Sequence, residues 1–197
     1  MKDKLKQIII GTIIVVGVTG LLLVIINFLK TKDIGANNNN TEYVKEETVE
    51  VLVAKFNTEV MDNGMEYPAS EDYLTKENEF YWYGLYDDVF LHVVPVKYSG
   101  ELKNDIVLEM GIFYDKGSEN EKMAMDYLFH LIKANDNTLS DDEVNKIIEK
   151  AQELGKDNIN AETGTGYLSH GLLVTYWDNE DNYHYSVSRE MESLNND

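Results

Sequence analysis

Residues 79–98 read EFYWYGLYDDVFLHVVPVKY. Two runs of aromatic and β-branched residues, 79–86 and 89–98, flank Asp87 and Asp88, the pattern of two strands meeting at a tight reversal. Pro95 has no amide hydrogen to give to a ladder, so the second strand lies at an edge or bulges there. Downstream, residues 105–114 place Ile106, Leu108, Met110, Ile112 and Tyr114 by alternation on one face before Gly117 ends the run. A sheet is therefore the centre of the fold.

Helices are expected on both sides of these strands. Val49, Leu52, Val53, Phe56 and Val60 recur at helical spacing within residues 42–62, and Gly64 follows as a stop. Residues 67–78 show no clear period and read as loop. Ser118 with Glu121, and Ser140 with Glu143, have the spacing of capping boxes, the second reinforced by Leu139 and Val144 as a hydrophobic staple. Tyr127, Leu128, Leu131 and Ile132 face inward from the first of these helices. Val144, Ile147, Ile148, Ala151 and Leu154 do so from the second, and Gly155 is placed to close it. A last hairpin covers 167–177 and 182–189, turning through 178–181. No motif repeats at a fixed period.

The expected fold class is thus α+β, an antiparallel sheet of about five strands packed with about three helices, preceded by a single N-terminal transmembrane helix. That helix is read from residues 8–29, an uncharged apolar run spanning about 33 Å as a helix. Lys2, Lys4 and Lys6 precede it and only Lys30 and Lys32 follow, which keeps residues 1–7 in the cytoplasm. The run exceeds the apolar core of a cleaved signal peptide, so an uncleaved signal anchor is expected rather than processing after Ala36. It carries no ionisable residue and no GxxxG pair, so it reads as a passive tether. Residues 30–41, with Asn37 to Asn40 in a row, form a polar flexible linker. The domain at 42–190 follows outside the cytoplasm, with a frayed tail at 191–197.

The formal net charge is −19, and beyond residue 40 it reaches about −22. Such a surface repels phosphate backbones, which excludes nucleic acid as a partner and favours basic protein faces or divalent ions. An exported chain without cysteine is held together by packing alone. With Arg189 its single arginine and with many Asn and Ile residues, it fits the surface proteins of low-GC Gram-positive bacteria.

No catalytic, cofactor-binding or metal-binding residue stands out. If Asp136 opened a calcium loop, its obligatory glycine would fall on Asp141 and its bidentate glutamate on Ile147, so the pattern fails. Ser169 lies in a run that resembles a nucleophile elbow with a residue too many, and the strand pattern continues through it. His92, His130, His170 and His184 lack ligand spacing, and Gly164, Gly166 and Gly171 do not form a dinucleotide fingerprint. What remains is a set of strand aromatics, Tyr81, Trp82, Tyr83, Tyr86, Trp177, Tyr183 and Tyr185, as candidate anchors of an interface. The expected function is a non-catalytic interaction module engaging a protein partner at the outer membrane face. The alternative is a domain that binds wall glycan or divalent cations. An enzyme would require His92, His170 or His184 to be grouped with carboxylates.

Overall fold

The computed structural model describes residues 47–156, 165–179 and 181–189. Along them run helix α1 (Val49–Asp62), strands β1 (Leu74–Glu77), β2 (Phe80–Tyr86), β3 (Val89–Pro95) and β4 (Val107–Asp115), helices α2 (Glu121–Asn135) and α3 (Asp141–Lys156), and strands β5 (Thr165–Ser169), β6 (Leu172–Asp178) and β7 (Asn182–Arg189). A 3-10 turn, Glu71–Tyr73, precedes β1. The strands make one antiparallel sheet in the order β1-β2-β3-β4-β7-β6-β5. Two meanders thus join along the β4–β7 pairing, and α2 and α3 connect them.

The α+β class holds, but the expected architecture is corrected on strand number and on the membrane helix. Among the described residues no helix is long and apolar enough to cross a membrane, against the membrane and single-pass reading. Each of the three helices buries one apolar stripe, while Val51 and Met61 of α1 and Leu154 of α3 are exposed. The span expected at 8–29 and the linker at 30–41 lie outside the described residues, as does the tail from 191.

The sheet has seven strands rather than about five. β1 arises within the segment read as loop, joined to β2 by Asn78 and Glu79, both left-handed at φ 54° and 68°. Neither is a glycine, so the usual hairpin signal is absent. The strand expected at 167–177 is two strands, because His170 and Gly171, at φ 52° and 73°, fold it back between Ser169 and Leu172. Pro95 sits where the β3–β4 register shifts, as its missing amide requires, and β3 ends there.

The helix ends follow local chemistry. Thr48, not a residue near 42, caps α1 by accepting from the Val51 amide at 3.4 Å. The box at Ser140 forms, with the Ser140 amide donating to Glu143 at 2.7 Å and the Glu143 amide to the Ser140 hydroxyl at 3.4 Å. The box at Ser118 does not: Asn120 occupies the cap position of α2, and the Ser118 hydroxyl accepts from its amide instead. Gly155 lies inside α3 rather than closing it, and a Cβ there would stand 2.4 Å from Tyr176 Cδ1 and 2.8 Å from the Tyr176 carbonyl oxygen. Glycine therefore serves close approach of helix and strand. Gly155→Ala should gain helix propensity of about 1 kcal/mol and lose more to overpacking, for a net destabilisation of about 1–2 kcal/mol by chemical denaturation.

One face of the sheet is the core. Tyr81, Leu91, Ile112, Tyr185 and Val174 pack there with the apolar stripes of all three helices. Leu154, expected inward, is exposed. Burial pushes the phenols of Tyr83, Tyr127 and Tyr185 up to about 12. The unfolded chain then loses these protons from pH 10 upward while the folded chain keeps them, so stability falls as pH rises from about 10 to 12. The checking measurement is phenolate absorbance, in which the part due to these three rings should rise together with the loss of secondary structure rather than ahead of it.

Candidate metal centre

The other sheet face is laid out in rows by the strand register. One row runs Trp82, His92, Gly111, Ser186, Thr175; the next runs Phe90, Phe113, His184, Trp177. Phe113 is only 8% exposed yet lies outside the helix-packed core. This face therefore has an organisation of its own.

His92 on β3 and His184 on β7 are separated by β4, and strands two apart lie about 10 Å from each other. Their rings meet because the intervening residue beside His92 is Gly111. A Cβ at Gly111 would stand 2.4 Å from His92 Cε1 and 2.8 Å from His92 Nδ1. The imidazole occupies the space that any other side chain would fill. His184 Nε2 then lies 3.1 Å from His92 Nδ1, with ring centroids 4.5 Å apart. Glu109, one row further along β4, places Oε1 3.2 Å from His92 Nε2.

His92 and Glu109 are buried, at 5% and 4% exposure, and His184 is half-buried. With neutral rings, both contacts are met when His92 Nε2–H donates to Glu109 and His184 Nε2–H donates to His92 Nδ1. Burial first, and then the neighbouring His92, hold the His184 imidazole well below the ordinary 6.5. It is thus neutral in neutral water, the form that ligates metals. Glu109 Oε2 is buried with no hydrogen-bond partner, and so is Trp82 Nε1. Trp177 stacks on His184 at 4.8 Å and 11°, while Trp82 lies 5.4 Å from the His92 ring, so both tryptophans of the chain flank the imidazoles.

One ligand atom from each of His92, Glu109 and His184 lies within 4.8 Å of the others. Ligands about 2.0–2.1 Å from a tetrahedral ion stand roughly 3.3 Å apart. The two nitrogens already meet that spacing, and Glu109 Oε1 lies against the other nitrogen of the His92 ring, Nε2.

The other singled-out residues are placed differently. Tyr81, Tyr83 and Tyr185 are within 1% of full burial in the helix-packed core, and Tyr86 and Tyr183 pack against it. Trp82 and Trp177 lie on the opposite sheet face, beside the imidazoles. None of the seven is among the exposed large apolar residues. His130 pairs with Glu59 between α2 and α1 at 3.3 Å. The Ser169 hydroxyl lies 2.9 Å from His170 Nδ1, with Glu143 3.8 Å from Nε2, but this contact joins neighbours in an exposed hairpin turn rather than at a strand-to-helix elbow. Asp136 accepts from the Thr138 amide and hydroxyl, so the calcium-like run is a turn followed by a cap.

Sequence spacing could not reveal the cluster, because its histidines are 92 residues apart. The available signal was phase: His92, Glu109, Gly111 and His184 occupy the outward positions of their strands. Comparison with family models, curated proteins and solved structures finds no match to this chain.

Proposed function

We propose that this chain is a divalent-cation-binding domain whose ion sits at His92, Glu109 and His184. The observation that carries this reading is the orphaned Glu109 oxygen beside two imidazoles. A buried carboxylate oxygen without a partner costs about 1–3 kcal/mol or more, and a cation at that point offsets it. The acidic surface adds to the field that draws a cation in. An interaction module anchored by the strand aromatics has less support, since those rings are spent on the core or on the imidazoles.

The test is a melting series on the full chain after chelator treatment, with Ca²⁺, Mg²⁺, Mn²⁺, Zn²⁺, Ni²⁺ and Cu²⁺ added singly. A bound ion stabilises the fold by about 2.7 kcal/mol when its free concentration is 100 times Kd. It also perturbs tryptophan fluorescence, because both tryptophans border the site. If no ion raises the melting temperature, the reading is wrong.

A further inference from the structure

Resting on that reading, we propose that the ion is a borderline transition metal of the Zn²⁺ or Co²⁺ type. It is held by one nitrogen each of His92 and His184 and by the Glu109 carboxylate, with a coordination position left for an exogenous ligand. Four features of the site carry this.

Donor chemistry comes first. Ca²⁺ and Mg²⁺ gather six or more oxygens, whereas this cluster offers two imidazoles and one carboxylate, a set that suits Zn²⁺ and its neighbours. The contact between the rings is the second feature. His184 Nε2 and His92 Nδ1 face each other across 3.1 Å and share one proton when no ion is present. A divalent ion replaces that proton, which moves to His184 Nδ1 or to solvent.

The third feature is that the cluster is built rather than accidental. Gly111 clears the space for His92, Trp177 orients His184 by stacking, and Trp82 packs on His92. Such outer contacts fix ligand orientation in metal sites. A buried imidazole, a half-buried one and a buried carboxylate with an unmet oxygen are poor choices for a merely structural sheet face. Finally, three protein ligands are one fewer than a closed structural zinc site uses. His184 is the half-buried member, so the remaining position is reached from its side. There it takes water or a small anion such as acetate or azide.

The test uses the full chain, freed of metal by chelator and titrated with Co²⁺ while its visible d–d absorption is read. The expected result is strong four- or five-coordinate bands, loss of those bands on adding Zn²⁺, and no competition from a large excess of Ca²⁺ or Mg²⁺. Acetate or azide should then shift the bands. Glu109→Gln, His92→Ala and His184→Gln should each weaken Co²⁺ binding by more than about 100-fold, beyond what loss of an outer-shell partner costs. Glu109→Gln preserves the shape of the side chain and keeps the comparison valid if a histidine variant fails to fold. His170→Ala, on the exposed turn, should leave affinity unchanged.

If Ca²⁺ or Mg²⁺ binds in preference to Zn²⁺, the domain still binds cations and this inference is overturned. Unchanged Co²⁺ affinity in the Glu109 and histidine variants overturns it as well, because the ion is then elsewhere. Bands that do not respond to acetate or azide overturn the open position. If no ion of any kind binds, the cation-binding reading falls with it.

Discussion

Asp105→Ala is expected to destabilise the fold by about 3–5 kcal/mol. Asp105 is 1% exposed, and its carboxylate accepts from the Ser99 amide at 2.8 and 2.9 Å, the Gly100 amide at 3.3 Å and the Tyr81 hydroxyl at 2.5 Å. Its backbone carbonyl accepts from the Val49 amide at 2.8 Å, and the Leu102 carbonyl from that of Glu50 at 3.1 Å, tying the 96–106 loop to the start of α1. Hydrogen bonds to a charged group contribute roughly 1.5–3 kcal/mol each, and alanine leaves several buried donors without an acceptor. In urea the midpoint should fall by roughly 2 M at an ordinary m-value. Asp105→Asn should cost less, since it keeps one acceptor oxygen but turns an amide group toward donors.

The same contacts set the pH dependence. Burial pushes the Asp105 carboxyl up, but the hydrogen bonds from Ser99, Tyr81 and Gly100 outweigh it and hold the group below its usual 3.8. A carboxyl with a lowered folded pKa stabilises the native state fully above its unfolded value, and that stability is lost as pH falls through the folded value. The gap between the native protein and Asp105→Asn should therefore be widest near neutrality and narrow below pH 4. A gap independent of pH would show that the charge contributes nothing.

Asp105 also illustrates what local pattern can and cannot reveal. The hairpin at 79–98, the alternation through Met110 and Ile112, and the apolar stripes of α1 and α2 are set by neighbours within a few residues, and periodicity exposes them. β1 and the β5–β6 turn escape that logic, because Asn78, Glu79 and His170 adopt left-handed backbone, which Asn and His tolerate better than most residues but which neither marks as glycine would. The cluster is harder still. It depends on the pairing of β4 with β7 across two intervening helices, so Glu109 and His184 become neighbours only when the second meander docks on the first. Alternation shows that His92 and His184 face away from the core; it does not show that they face each other.

Gly111→Ala should separate the placement of the ligands from their identity. The substitution leaves His92, Glu109 and His184 in the chain, yet its Cβ would enter the space held by the His92 ring and stand 2.4 Å from the Tyr185 carbonyl oxygen. Overpacking costs typically 1–3 kcal/mol, and two contacts this close place the variant at the upper end of that range. Co²⁺ affinity should fall at least about 10-fold, as when an outer-shell support is lost. A double-mutant cycle with His92→Ala apportions the cost. Removing the ring frees the space on one side, so Gly111→Ala should cost less in that background, leaving the share due to the Tyr185 backbone. Equal costs in both backgrounds would mean that the glycine serves only the β4–β7 pairing. A smaller cost without the ring would establish that β4 gives up a side chain at its centre so that two histidines from flanking strands can meet.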